Sequence, residues 1–339
     1  MLFLKYMLLI GSAAAWTWSD IFTAINPWRL HDLVRAQQHP KLQAGEGKPH
    51  LLELATSLNL TTCVEKLTEV GIDRVLNHEG WFTLFCPTNE AFKYEKFYPG
   101  EDTLVDKMRL HVARGWFNSS EFKNEVTYKS LLSKRDIRIN VYSTKGDNAP
   151  LTTANGRPVF STDYKARNGM IHVLSEVMSS VYDRSGSVIS EIDMCCPQHS
   201  YLIELFQRAG IYDAVHQADP VTFLAPVNAA FDRIHPDFLK ELKKNKPLLK
   251  KVLAGHVIPG SWYTAGLFTG DKLKNWNGDF ITVDKNQNGE IRFNGAESSL
   301  TDVTASNGVV HSISNLLLSK ETEKEVFMIL KSLNGQNEI

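Results

Sequence analysis

Apolar residues in this chain fall into blocks that change rhythm and then recur. Val64, Leu67 and Val70 stand at helical spacing, and so do Ile203, Phe206 and Ala209. Thr62-x-x-Glu65 reads as a capping box at the start of the first of these helices. Gly71 and Gly210 follow, where a helix commonly ends on a left-handed residue. Next comes a short unbroken apolar run, Phe82-Thr83-Leu84-Phe85 or Val221-Thr222-Phe223-Leu224, which predicts a buried strand. Pro87 and Pro226 end these strands, and Asn89 and Asn228 are placed to cap the turn or helix that follows. The later part of each block reads as strands and turns. Examples are Ile137-Arg138-Ile139-Asn140-Val141-Tyr142 and Phe280-Ile281-Thr282-Val283, with Asn-Gly turn signals at 155–156, 168–169, 288–289 and 307–308. Helices first and a mostly antiparallel sheet afterwards is an α+β pattern.

The blocks are copies of one another. Thr61–Phe92 laid over Ser200–Phe231, at a constant offset of 139, gives 8 identities in 32 pairs, among them Gly71/Gly210, Pro87/Pro226 and Asn89/Asn228. The same offset returns when Asp163 falls on Asp302 and Asn168-Gly169-Met170-Ile171-His172 falls on Asn307-Gly308-Val309-Val310-His311. Between these blocks His111 pairs with His256 at an offset of 145, the kind of gain and loss that loops absorb.

Thr83-Leu84-Phe85-Cys86-Pro87-Thr88-Asn89-Glu90-Ala91-Phe92 and its copy Thr222–Phe231 resemble the first signature block of the fasciclin domain. The segments starting at Asn168 and Asn307 resemble its closing block, and His111 and His256 resemble its central histidine. The tyrosine usual before that histidine is replaced by Leu110 and Gly255. The resemblance spans about residues 50–320 and implies two tandem fasciclin-like domains, each a helical front half followed by a mostly antiparallel sheet. It also implies a non-enzymatic role in cell adhesion or extracellular matrix. Expected partners are cell-surface receptors such as integrins, matrix proteins such as collagen, or further copies of the chain; the alternative is a self-associating structural component without receptor binding. Within the family an Asp followed by an apolar residue before the closing block is implicated in integrin recognition, which maps to Asp163-Tyr164 and Asp302-Val303, and the segments around His111 and His256 are implicated similarly. Physically, an exposed carboxylate can complete the shell of a receptor-bound cation. The competing expectation is a structural Asp that caps backbone groups at a turn.

Length and charge fit that picture. The 339 residues allow about two domains. A net charge of −1 gives no global field for nucleic acid or an anionic membrane, and the lysine-rich Lys240–Lys251 run reads as a solvated helix face. Residues 1–15 carry a single charge, Lys5, a short apolar stretch and Ala13-Ala14-Ala15, the signature of a cleaved signal peptide and hence of export. The polar end of the chain carries no signal for a lipid anchor. The expected organisation is a signal peptide (1–15), an N-terminal segment (16–47), domain 1 (48–183), a linker (184–197), domain 2 (198–320) and a helical tail (321–339). In the tail, Thr322-x-x-Glu325 is a second capping box, and Val326, Phe327, Ile329, Leu330 and Leu333 follow at helical spacing. The tail thus resembles the apolar leaders Leu51–Leu58 and Val188–Met194, here packed on repeat 2.

Export gives two further features chemical meaning. Asn59-Leu60-Thr61 and Asn118-Ser119-Ser120 are N-glycosylation sequons. Cys63, Cys86, Cys195 and Cys196 become candidates for disulfides. Cys63 and Cys86 lie in one repeat, and their counterparts Leu202 and Ala225 are apolar, which suits a local disulfide or two buried thiols. Cys195 and Cys196 are adjacent, and could instead bond the other pair or a second chain.

Catalytic readings find little purchase. The repeated His111, His172, His256 and His311 lack zinc-site spacing, and a scaffold role is the kind that recurs in every copy. There is no Gly-x-Ser-x-Gly elbow and no phosphate-binding glycine loop. Asp284-Lys-Asn286-Gln-Asn288-Gly289 imitates the start of a calcium loop, but its twelfth position is Gly295 and its flanks read as a β-hairpin. No cofactor is expected.

Overall fold

The structure is a computed structural model that describes residues 47–77, 81–94, 103–143, 150–178 and 186–334. The expected signal peptide and nearly all of the N-terminal segment lie outside the described residues, as do the side chain of Cys195 and the last residues of the tail.

Repeat 1 runs α1 (Leu51–Ser57), α2 (Thr61–Glu69), α3 (Ile72–Leu76), β1 (Phe82–Pro87), α4 (Asn89–Lys93), α5 (Leu104–Leu110) and β2 (Val112–Arg114). A 3-10 turn at Ser119–Glu121 leads into β3 (Val126–Lys129), β4 (Asp136–Tyr142), β5 (Leu151–Ala154), β6 (Arg157–Lys165) and β7 (Gly169–Leu174). Repeat 2 repeats this order. Its helices are α6 (Val188–Cys195), α7 (Ser200–Ala209), α8 (Tyr212–Gln217), α9 (Asn228–Asp232), α10 (Pro236–Lys244) and α11 (Lys246–Ala254). Its strands are β8 (Val221–Pro226), β9 (Val257–Pro259), β10 (Lys272–Lys274), β11 (Phe280–Lys285), β12 (Ile291–Phe293), β13 (Ala296–Ala305) and β14 (Gly308–Ile313), with α12 (Lys320–Asn334) after them. No helix among the described residues is long and apolar enough to cross a membrane.

Each repeat builds one sheet of the same topology, β2-β1-β7-β6-β5-β4-β3 and β9-β8-β14-β13-β12-β11-β10. The apolar runs read as buried strands are β1 and β8, buried along their whole length. Each pairs in parallel with the closing strand, β7 or β14, and every other pairing is antiparallel. Gly169 and Gly308 are where this pairing begins. A Cβ there would stand 2.2 Å from Phe82 O or 1.7 Å from Val221 O, so no side chain fits. In repeat 1, one core gathers Leu51, Leu67, Leu84 and Ile171 under the helices and a second gathers Phe85, Ile137, Ile139 and Leu174 on the other side. Repeat 2 divides likewise.

Several local expectations change once the chain is folded. Asn89 and Asn228 do not cap the helices they begin. Thr88 caps α4, while Asn89 reaches back to accept from Thr62 N (2.9 Å) and donate to Asn59 O (2.9 Å). Asn228 does the same to Tyr201 N (3.1 Å) and Pro197 O (3.1 Å). Each asparagine therefore ties the strand's end to the start of α2 or α7, which is why Thr62 has no need to act as a cap. Asn168 and Asn307 are not simple turn residues either. Their Oδ1 atoms accept from Leu51 N (2.9 Å) and Val188 N (2.8 Å), the first residues of α1 and α6, and their Nδ2 atoms donate to Leu76 O and Val215 O. The 155–156 pair does turn a hairpin, with positive φ at both residues, and Asn294-Gly295 is its counterpart.

The segment expected to link the repeats contributes α6, whose Val188, Ile189 and Ile192 enter the core of repeat 2 just as α1 enters that of repeat 1. Ser319 rather than Thr322 caps the tail helix, accepting from Thr322 N at 3.2 Å. Val326 and Ile329 of that helix pack into the same core. The calcium-like segment is a hairpin between β11 and β12 in which Asn286 Oδ1 accepts from Asn288 N (2.9 Å) and Glu290 N (3.0 Å).

Candidate partner-binding sites

Asp163 and Asp302 occupy matching bulges in β6 and β13, both left-handed (φ 67° and 60°). Asp tolerates that conformation better than most residues because its short side chain bonds locally. Each carboxylate caps a 3-10 turn. Asp163 accepts from Ser119 N (2.8 Å) and from the Ser119 hydroxyl; Asp302 accepts from Thr264 N (2.7 Å) and from the Thr264 hydroxyl. Burial pushes the Asp163 carboxyl up, but the two hydrogen bonds from Ser119 outweigh it and hold it below the usual carboxylate range. The copies differ in access. Asp163 and Tyr164 are half-buried, whereas Asp302 is 9% and Val303 5% exposed.

The backbone N–H of each aspartate is held by a histidine. Asp163 N donates to His172 Nδ1 (3.3 Å) and Asp302 N to His311 Nδ1 (3.2 Å). The opposite ring nitrogens donate to Phe117 O (2.9 Å) and Trp262 O (2.8 Å), which fixes the neutral Nε2–H tautomer. Burial lowers the pKa of both rings, against the pull of these bonds.

His111 and His256 use the other tautomer. Nδ1 donates to Lys107 O (2.7 Å) or Val252 O (2.9 Å), one turn earlier, and Nε2 accepts from Met178 N (2.9 Å) or Leu317 N (2.9 Å). Both rings are fully buried, and desolvation drops each pKa to about 4. Both ring nitrogens are thus spent on backbone groups and neither faces solvent. Among the described residues no group of three His, Cys, Asp or Glu side chains is arranged to hold a metal ion.

Of the cysteines, Cys63 in α2 and Cys86 in β1 are joined in a disulfide with a Cα–Cα distance of 6.2 Å. Cys196 is also disulfide-bonded. Asn59 is exposed in the turn between α1 and α2, and Asn118 is half-buried at the start of the Ser119–Glu121 turn.

Sequence patterns gave no sign of a joint between the repeats. Arg138 of β4 is buried, and its guanidinium donates to Glu125 (3.0 Å) within repeat 1 and to Ser306 O (2.9 Å) and Asp219 (3.3 Å) of repeat 2. Glu125 in turn accepts from Ser261 N (2.8 Å). The Tyr142 hydroxyl donates to Ser261 O (2.8 Å) and accepts from Tyr263 N (3.1 Å). Tyr263 is fully buried, and its ring lies so close to Gly156 of repeat 1 that a Cβ there would come within 2.2 Å of it. Tyr142 is seated against Gly266 in the same manner. A patterned alternation reveals which residues face a sheet's two sides, but not that one side meets a second domain.

Comparison with known proteins follows the same two-unit division. A model of the Fasciclin domain matches twice, at residues 58–180 and 197–319. Transforming growth factor-beta-induced protein ig-h3 of Sus scrofa is 25% identical, over 83% of this chain and 42% of its own length. Periostin of Homo sapiens is 22% identical, over 85% of this chain and 33% of its own length. The chain therefore spans less than half the length of these curated relatives. Among solved structures, a FAS1 domain pair from the insect cell adhesion molecule fasciclin I is 17% identical, covers 78% of this chain and 98% of that one, and superposes with a TM-score of 0.40.

Proposed function

The chain belongs to the fasciclin-domain family, and from that premise we propose that it is a secreted adhesion or extracellular-matrix protein, a binding protein rather than an enzyme. Its partners are cell-surface receptors of the integrin type and matrix components such as collagen, engaged through the outer surfaces of the repeats. One observation carries this reading. The polar residues that recur in both copies and could do chemistry, His111/His256, His172/His311 and Asp163/Asp302, are each committed to backbone groups of their own repeat. They build the scaffold twice, and what remains for function is what one copy exposes and the other buries.

Among the candidate contacts, the Asp163-Tyr164 edge of repeat 1 keeps solvent access, while Asp302, Val303, His111 and His256 are buried. We place the receptor contact at Asp163-Tyr164. The test is adhesion of integrin-bearing cells to the purified secreted chain, with and without chelation of divalent cations, beside Asp163→Asn and Asp302→Asn. Asparagine keeps a carbonyl to cap the 3-10 turn and tolerates the left-handed backbone, so both variants stay folded. Adhesion should need the cation, vanish in Asp163→Asn and persist in Asp302→Asn. Equal adhesion by both variants would move the contact elsewhere. Concentration-dependent oligomers with no adhesion by the wild type would favour a self-associating structural role.

A further inference from the structure

The lysine-rich run from Lys240 to Lys251 folds into α10 and α11, and its six lysines divide into two sets. Three are tied to neighbours. Lys243 Nζ lies 3.7 Å from Glu204 Oε1 and 4.4 Å from the centroid of the Tyr201 ring, both on α7. Lys244 pairs with Glu241 one turn earlier (2.7 Å), and Lys251 pairs with Glu325 (3.3 Å) and Glu321 (3.7 Å) of the tail helix. Lys240, Lys246 and Lys250 are exposed and pair with no acidic side chain among the described residues.

The core fixes which way this second set points. Phe238 and Leu242 of α10 and Leu248, Leu249 and Val252 of α11 are buried in repeat 2, so Lys240, Lys246 and Lys250 stand on the solvent side. Lys246 and Lys250 share one stripe of α11, about 6 Å apart along its axis. Lys246 also reaches over the end of α7. A Cβ at Gly210 would lie 3.5 Å from its Nζ, and Arg208 of that last turn is exposed and unpaired too. Neither α10 nor α11 exposes a large apolar side chain.

Repeat 1 has no such ridge. The bonds from His111 to Lys107 O and from His256 to Val252 O hold the offset at 145 through the ends of α5 and α11. Lys250 and Lys251 then fall on Val105 and Asp106, and at the same offset Lys246 falls on Glu101. The frame therefore does not require these cations. Nor does helix stability, because like charges four residues apart, as at Lys246 and Lys250, repel one another.

We propose that Arg208, Lys240, Lys246 and Lys250 form a docking ridge for a sulfated glycosaminoglycan. The inference rests on the proposed export, which brings the chain among extracellular polyanions. Such a polymer carries sulfates and carboxylates along its length, and a row of unpaired cations releases its counterions on binding. An ammonium on a flexible stem meets those anions without a fixed geometry. An anionic membrane fits less well, since a helix that lies on one needs an apolar face beside its basic one.

The full chain expressed with its own leader in cultured animal cells and purified from the medium tests this, with heparin as the probe. The wild type should bind immobilised heparin and be released by salt. Lys240→Gln/Lys246→Gln/Lys250→Gln should weaken binding about tenfold or more and lower the slope of log Kd against log salt by about two. The replaced lysines are exposed and unpaired, so the melting curve should not move. Lys123→Gln/Lys134→Gln/Lys274→Gln makes the same change in net charge at exposed positions elsewhere and should bind as the wild type does. Unsulfated hyaluronan and phosphatidylserine vesicles should bind far more weakly than heparin. A secreted chain that ignores heparin, loses it equally in both triple variants, or prefers the vesicles would overturn the proposal and leave export standing. A chain retained inside the cell would overturn both, because it never meets a sulfated glycan.

Discussion

Repeat 1 and repeat 2 share a frame almost bond for bond and differ at the places where something else is attached. The asparagine clamps, the two histidine tautomers, the aspartate-capped turn and the glycine at the parallel strand start occur in each. The Cys63–Cys86 disulfide of repeat 1 stands where repeat 2 has Leu202 and Ala225, both buried in its core. The joint draws on β4 of repeat 1 and on the Asp219, Ser261–Tyr263 and Ser306 surface of repeat 2. Repetition thus separates residues required by the fold from residues that define this particular chain.

The largest break in the comparison should come from the joint. Arg138→Ala leaves Glu125 of the same repeat without its counter-charge and removes the bonds to Ser306 O and Asp219 of repeat 2, so about 4 kcal/mol should be lost, shared between repeat 1 and its joint with repeat 2. Scanning calorimetry should then resolve two transitions. The next largest effect is confined to repeat 1. Opening a disulfide across a sequence separation of 23 residues with Cys63→Ala/Cys86→Ala should destabilise it by about 3 kcal/mol. Amide exchange should quicken in β1 and remain slow in β8.

Acid should act in the opposite direction. His199, fully buried in repeat 2 where repeat 1 has Leu60, is held by desolvation at a pKa of about 4, as are His111 and His256. A ring that is neutral in the fold and has a depressed pKa contributes its full stability above an unfolded value of about 6.5, and loses it as pH falls toward about 4. Repeat 2 holds one more such ring, so near pH 5 it should lose about 2 kcal/mol more than repeat 1. Its amides should then exchange faster, and His199→Leu should equalise the two. The smallest effect belongs to the tail helix. Val326→Ala should lower the stability of repeat 2 by about 1 kcal/mol in urea unfolding and leave repeat 1 unchanged.

The sequence made the tandem α+β organisation legible because helical spacing, strand runs and their stops recur in one order. It also marked the residues of the frame, though often not their job. Asn89 and Asn168 were visible as turn or cap residues, yet their partners lie 27 residues away in α2 and 117 residues away in α1, contacts that local pattern does not encode. Asp163 was legible as either a receptor carboxylate or a cap, and its cap is in place. The joint left no local trace. Arg138 sits 168 residues from Ser306, and an arginine on an alternating strand reads as solvent-facing until a second domain covers it.

The most direct test of this account is calorimetric unfolding of the unaltered chain at neutral pH. If the joint makes one body of two copied frames, a single transition should appear, with a calorimetric enthalpy equal to the van't Hoff value for the whole chain. Two resolved transitions in the unaltered chain, unmoved by Arg138→Ala, would contradict it and reduce the joint to a contact without energetic weight.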